Sequence, residues 1–300
     1  LLTEKNADIN FVDSKKQTPL HRAILDESEN MVNFLLEKGA EINHDVKNIE
    51  TPLRYAISHD KKNMASHLIK DGATIDYLDK SRWTPIEYSI SLNKKEMVSL
   101  LKDKGVGINA EDSRKKTPLI WAVYHNNAEM VLYLIELGAN PNYFDSEGIT
   151  PLKYAISKDK LDMIRPLIKN GANPDLEKDA KGNAVSTPLI YAIDLNKKGM
   201  IAQLIKSGAN PNYFNSKKIT PLKYAISNDK LEMIKPLIEN GANPNLDKDA
   251  KGNAVSTPLI HAIDLNKKDM IKVLKNNGAD INYCDNSGWT PITYAIEKNN

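Results

Sequence analysis

The amino-acid sequence predicts an all-α repeat protein that folds as one solenoid. The tripeptide Thr-Pro followed by Leu or Ile recurs along the 300 residues at spacings of 33 or 37 residues. A glycine follows eight of the nine copies at a constant distance. A fixed period of this length is typical of units that cannot bury an apolar face alone and therefore stack. The copies begin at Thr18, Thr51, Thr84, Thr117, Thr150, Thr187, Thr220, Thr257 and Thr290.

The first helix of each unit is expected to begin at the threonine. Threonine is a favourable N-cap, and proline suits the first helical position because its missing N–H has no helical partner there. Five residues after each threonine comes Ala, or Ser89 in one unit, followed by Ile or Val. Small side chains let neighbouring helices approach closely, so this column predicts a packing face.

A second helix is expected in each unit after a column of Asp and Asn residues, which we interpret as N-caps. All eight methionines fall in one later column, and a leucine follows each after four residues. This i, i+4 stripe predicts core packing, although a methionine stripe also suits a metal site or a promiscuous binding surface. The recurring glycine then ends the helix at C′. The predicted caps are Asp60, Asn93, Asn126, Asp159, Asn196, Asp229 and Asn266.

These columns resemble the ankyrin repeat. Residues 18–23 (TPLHRA) are similar to its first-helix signature, and residues 35–43 (LLEKGAEIN) to the exit from its second helix. The resemblance implies an ankyrin solenoid: a β-turn finger and an antiparallel helix pair per repeat, stacked into a curved single array whose concave side carries the fingers and first helices. Eight repeats are expected at 13–45, 46–78, 79–111, 112–144, 145–181, 182–214, 215–251 and 252–284.

Residues 1–12 are expected to end a preceding repeat, and residues 285–300 to begin a truncated ninth repeat. Terminal repeats normally carry polar capping faces. These two end segments do not, so we expect a fragment of a longer protein.

Several positions depart from the family pattern. The signature histidine is present only as His21; Arg54, Lys153 and Lys223 are among its replacements, and their long stems are expected to bond the next repeat. Residues 141–210 and 211–280 are identical at 53 of 70 positions, which indicates a tandem duplication. Both copies carry a proline within the second helix, expected to kink it, and a finger lengthened by four residues, expected to project. The prolines are Pro166 and Pro236.

Composition and motifs argue against catalysis and cofactors. A single cysteine, Cys284, excludes an internal disulfide framework and a cysteine-based zinc site. No pair of the six histidines has the i, i+4 spacing of a helical zinc site, and no phosphate-binding glycine motif occurs. The acidic loop that begins at Asp175 lacks the glycine and glutamate of a calcium loop. We therefore predict a non-enzyme with no cofactor and no bound metal.

The charge pattern leaves an anionic partner open as an alternative. Lysine pairs at the start of the second helices form a stripe that could follow phosphates, but acidic residues interleave with them and the net charge is only +2. Nucleic acid is therefore an unlikely partner. A column of Tyr and Trp on the first helix could stack bases, but its place beside the alanine column favours packing between repeats. The longest apolar run, residues 119–124, is too short for membrane insertion.

The remaining variable positions predict a surface that binds another protein. By resemblance to the family, recognition uses the fingers and the loops that end the first helices, on the concave face. Apolar residues at the fifth finger position are candidate anchors, although each ring could instead cover the adjacent finger. The predicted partner-binding residues are Lys15, Trp83, Arg114, Lys116, Tyr124, His125, Ile149, Ile219 and Trp289. The predicted function is a monomeric, cytoplasmic interaction module; the alternative is a scaffold arm of a multidomain protein.

Overall fold

A computed structural model describes residues 8–44, 49–76, 78, 83–179, 181–249, 251–285 and 288–298. The chain divides into two compact units, residues 1–140 and 141–300. Unit 1 contains α1 Pro19–Leu25, α2 Glu29–Glu37, α3 Pro52–Ser58, α4 Lys62–Lys70, α5 Pro85–Ser91, α6 Lys95–Asp103, α7 Pro118–Tyr124 and α8 Ala128–Glu136. Unit 2 contains α9 Pro151–Ser157, α10 Leu161–Lys169, α11 Pro188–Asp194, α12 Lys198–Lys206, α13 Pro221–Ser227, α14 Leu231–Glu239, α15 Pro258–Asp264, α16 Lys268–Asn276 and α17 Pro291–Glu297.

The helices form pairs within each unit. Each first helix from α1 to α15 packs on the second helix that follows it, and within each unit the first helices of successive repeats pack side by side. The described residues form no β-strand; two isolated bridges, Lys178 to Ala184 and Lys248 to Ala254, close the long fingers. The predicted all-α repeat architecture is confirmed.

The threonine column caps the first helices as predicted. Each threonine is extended, its hydroxyl accepts a hydrogen bond from the third helical N–H, and proline occupies the first turn. Each first helix is seven residues long, too short to be stable alone, so packing on its neighbours must hold it.

The interpretation of the Asp and Asn column as caps is wrong. These residues have left-handed backbone conformations, with φ of 57° at Asp60 and 58° at Asn93, and lie one position before the cap. The cap itself is a lysine without a side-chain cap hydrogen bond in most repeats, and only Asn127 accepts one, from the Met130 N–H. The tight turn between paired helices requires a positive φ, which Asp and Asn tolerate better than most residues.

The core consists of the predicted columns. The alanine and branched columns are buried from α1 to α15, and the leucine column is buried throughout, whereas in α17 Ala295 is half-buried and Ile296 is 69% exposed. Seven of the eight methionines are at most 3% exposed. Met31 is the exception, with 47% of its surface exposed. The methionine stripe is therefore core packing over most of its length.

Asparagine side chains link successive repeats at the exit of the second helices. The Asn245 amide donates to the Gly278 carbonyl at 3.0 Å, and its oxygen accepts from the Asp280 N–H at 2.7 Å. The same two-way link recurs at Asn10, Asn43, Asn109, Asn142 and Asn212. Asp175 takes this place in unit 2, where its carboxylate accepts from the Asn210 N–H.

Basic residues in place of the signature histidine contact the next repeat, as expected. The Arg54 guanidinium lies 3.9 Å from the centre of the Tyr88 ring, and the Lys153 ammonium 5.7 Å from that of Tyr191. Lys223 Nζ lies 3.5 Å from the hydroxyl of Ser256. The two prolines lie inside α10 and α14, which keep the nine-residue length of the other second helices.

Candidate functional site

Five side chains from two adjacent repeats of unit 1 form an aromatic cluster: Trp83, Arg114, Trp121, Tyr124 and His125. The Trp121 ring centre lies 5.2 Å from that of Trp83, 5.2 Å from that of Tyr124 and 6.0 Å from that of His125. The Arg114 guanidinium lies over both indoles, 4.2 Å from Trp121 and 5.0 Å from Trp83. Four of the predicted partner-binding residues thus come together around one buried tryptophan.

Local structure explains how these residues meet. Trp121, Tyr124 and His125 are spaced i, i+3 and i+4 at the end of α7, so their side chains share one face. Trp83 immediately precedes the cap of α5, in the preceding repeat, and Arg114 lies in the finger before α7. Tyr124 is 49% exposed, whereas Trp121 is buried. The cluster therefore has a fixed base and an accessible rim.

A buried carboxyl pair holds the base of the aromatic cluster. Glu87 Oε2 accepts from the Thr84 N–H at 3.0 Å and from Arg114 Nη2 at 2.9 Å. Asp112 Oδ2 accepts from Trp121 Nε1 at 3.0 Å and lies 3.3 Å from Arg114 Nε. Arg114 therefore joins two repeats through ionic contacts and through both indole rings.

The two carboxyl groups differ in acidity. Burial raises the pKa of Glu87 well above that of an ordinary glutamate, and its hydrogen bond to Asp112 raises it further. Burial alone would also raise the pKa of Asp112, but hydrogen bonds from Glu87, the Lys116 N–H and Trp121 outweigh it and lower this pKa. Below a pH of about 7 Glu87 therefore keeps a proton that it shares with Asp112, and the negative charge of the pair lies on Asp112.

The other predicted residues lie elsewhere. Lys116 is beside the cluster, where its N–H donates to Asp112, whereas Lys15 is exposed on the first finger. In unit 2, Ile149, Ile219 and Trp289 are half-buried, and their N–H groups donate to the first side chain of their own finger.

The Trp289 ring lies 5.1 Å from that of Tyr294.

Glu87 and Asp112 were not predicted as site residues. One signal was available: Glu87 is the only carboxylate in the column of the signature histidine. His21, in the same position of the first repeat, forms the same capping box and contacts the Glu50 carbonyl of the next repeat at 2.8 Å. Glu87 instead contacts an arginine of the next repeat.

The lysine stripe is neutralised by ion pairs between repeats. Lys61 pairs with Glu27 and Lys95 with Glu129, each at 2.6 Å. Further pairs join Lys94 to Asp60, Lys197 to Asp159 and Lys267 to Asp229. Since these lysines already have carboxylate partners, the stripe presents little net positive charge to an anionic surface.

The aromatic column of the first helices packs between repeats, as favoured by the sequence. The Tyr88 hydroxyl donates to Glu50 of the preceding repeat and the Tyr224 hydroxyl to Asp194, each at 2.7 Å. These hydrogen bonds tie each ring to the preceding repeat.

The long finger closes on itself. The Asp179 carboxylate accepts from the N–H groups of Lys181 and Asn183, at 2.9 and 2.8 Å. Within the described ranges, no three His, Cys, Asp or Glu side chains are grouped closely enough to hold a metal ion. Cys284 is exposed. No helix in the part of the chain that the structure describes has the length and apolarity to span a bilayer.

Comparisons with known proteins agree with this architecture. Family models described as "Ankyrin repeats (3 copies)" match residues 1–46, 43–112, 104–178 and 177–248, and one described as "Ankyrin repeats (many copies)" matches residues 259–300. A sequence search of curated proteins found no match.

Among solved structures, the ankyrin repeat domain of Bcl-3, described as a unique member of the IkappaB protein family, is similar at 25% identity and a TM-score of 0.55. The alignment covers 73% of this chain and 98% of that one. The human ASB11 ankyrin repeat domain shares the fold at 22% identity and a TM-score of 0.51, over 76% of this chain and 100% of that one. The chain therefore belongs to the ankyrin repeat family, whose domains are generally protein–protein interaction modules and typically not enzymes.

Proposed function

We propose that this chain binds another protein through the finger and first-helix surface of unit 1, with the aromatic cluster at its centre. One observation carries the proposal: a nearly half-exposed tyrosine is mounted on a buried tryptophan, an arginine and a carboxyl pair from two repeats. Tyr, Trp and Arg are the residues that most often dominate binding energy at protein interfaces.

The geometry of the aromatic cluster suits recognition because its members are already ordered. Ordering a flexible side chain on binding costs about 0.5–1.5 kcal/mol, and the contacts around Trp121 and Arg114 reduce that cost. Lys15, Ile149, Ile219 and Trp289 stay predicted as further contacts, each within its own unit. We also propose that the module acts as a cytoplasmic monomer without catalytic activity.

The test compares Tyr124→Ala with Phe34→Ala. Phe34 is 41% exposed on α2, so its removal is a matched loss of exposed aromatic surface in the same unit. Peptides selected from a random phage-displayed library on the intact chain serve as probes, and circular dichroism checks that each variant folds.

We expect Tyr124→Ala to weaken the selected peptides by about thirtyfold, equivalent to ~2 kcal/mol, with Phe34→Ala unchanged. Equal affinity for both variants would place binding elsewhere and refute the proposal.

A further inference from the structure

An acidic cleft opens beside the aromatic cluster, in unit 1. It has a volume of about 380 Å³ and lies between the start of α5 and the finger that precedes α7. Ile86 and Val106 contribute apolar wall, and Glu87 and Asp112 bring the carboxyl pair to the same space. The carboxyl pair that holds the base of the aromatic cluster therefore also lines this cleft.

Glu87 lines this cleft, and one of its carboxyl oxygens has no donor. Its side chain is 2% exposed, and Oε2 has two donors, but Oε1 is buried and none of the described residues donates a hydrogen bond to it. A buried acceptor without a donor is unfavourable, and native proteins rarely leave one without a reason. When Glu87 loses the proton that it shares with Asp112, the partner that Oε1 lacks is a donor.

The charge of the lining specifies what kind of donor fits. Asp76, Glu87, Glu111 and Asp112 line the cleft, and Lys116 is the one cation among its described lining residues. Arg114 lies against the carboxyl pair without lining the cleft. The surplus of carboxyl groups over cations favours a positively charged guest. The apolar wall would contact the aliphatic stem of a long basic side chain.

We propose that this cleft binds an arginine or lysine side chain of the partner protein, with its cationic N–H groups donating to Glu87 Oε1. This inference rests on the proposed function, since it names the chemistry of the partner that the aromatic cluster recognises. When the cation binds, the proton shared by Glu87 and Asp112 leaves to solvent, and both carboxyl groups are ionised. Tyr124 and Trp83 then contact neighbouring residues of the same partner segment.

The selected phage peptides test this directly. Each peptide is resynthesised with its basic residues replaced singly, arginine by citrulline and lysine by norleucine, which keep the shape but remove the charge. We expect one basic position whose replacement weakens binding at least tenfold, and the residue found there distinguishes arginine from lysine. Peptides that bind without any essential basic residue would overturn the inference.

A protein variant supplies the matching measurement. Glu87→Gln keeps the acceptor for the Thr84 N–H but removes the charge, and Glu96→Gln removes the same charge from an exposed site on α6, outside the cleft. We expect only Glu87→Gln to weaken the basic peptide tenfold or more, and to make the peptide and its citrulline or norleucine analogue nearly equal. Equal binding by both variants would refute the cleft assignment.

Two further outcomes separate this inference from the proposed function. In the first outcome, Tyr124→Ala abolishes peptide binding, but neither Glu87→Gln nor replacement of the peptide's basic residues changes the affinity. This result supports the proposed function and refutes the proposed cation site in the cleft. Failure to select any peptide counts against both. Because Glu87 must ionise, affinity for the basic peptide is also expected to rise from pH 6 to pH 8, whereas the uncharged analogue shows no such rise. A flat profile for the basic peptide contradicts the displaced proton.

Discussion

Replacing Asp175 by asparagine is expected to stabilise unit 2. In the duplicated block the equivalent residue is Asn245, which links two repeats by donating to a glycine carbonyl and accepting from a backbone N–H. The Asp175 carboxylate makes only the accepting half of this link, with the Asn210 N–H. An amide at position 175 is expected to reach the Gly208 carbonyl, as Asn245 reaches that of Gly278.

The magnitude follows from one added hydrogen bond and one relieved charge. A neutral hydrogen bond contributes about 0.5–1.5 kcal/mol net, and burial that raises the pKa of Asp175 shows that its ionised form is disfavoured in the folded chain. Since the folded pKa lies above the unfolded value, this destabilisation is present above the folded pKa and is relieved as pH falls through it. We expect a gain of about 1–2 kcal/mol at pH 7 and less at pH 3.

Urea unfolding followed by circular dichroism at both pH values measures the change. Asn245→Asp is the matched control and is expected to lower the unfolding midpoint at pH 7, since it removes the donating half of the same link. If Asp175→Asn leaves the midpoint unchanged or lowers it, the donor at this position contributes nothing and the reasoning is wrong.

Two further predictions concern single residues, and a third concerns the lysine stripe. Lys115 has φ of 56° where the next finger has Gly148, so Lys115→Gly should stabilise unit 1 by about 0.5–1 kcal/mol in urea unfolding; destabilisation would contradict a strained turn. Burial lowers the pKa of Lys153 to about 8, so stability should rise with pH between about 8 and 10.5. Because burial lowers the pKa of Lys223 in the same way, Lys153→Met should remove about half of this rise, whereas the exposed Lys158→Met should keep it in full. Equal slopes for the two variants would refute the assignment. Because Lys94 and most other lysines of the stripe are paired with carboxylates, the chain should not co-sediment with vesicles rich in anionic lipid at 150 mM salt. Stable binding would instead support the lysine stripe as a site for anionic surfaces.

The helices and the core follow from local sequence alone. Thr18 and Pro19 specify a helix start through their own backbone and side-chain chemistry, and the recurrence of that pair every 33 or 37 residues sets the repeat. Residues such as Met64 and Leu68 are one turn apart, so their burial on one face follows from helical periodicity alone.

Which turn residues adopt a left-handed conformation, and which charged side chains form contacts, depends on how the helices and repeats pack. Aspartate is a residue type that often caps helices, but the close packing of α3 on α4 requires a positive φ at Asp60. Lys94 finds its partner one repeat away, and Glu87 meets Arg114 and Asp112 across a similar separation. No local rule relates residues more than 20 positions apart in sequence, so the carboxyl pair at the candidate site emerges only when stacking brings adjacent repeats into contact.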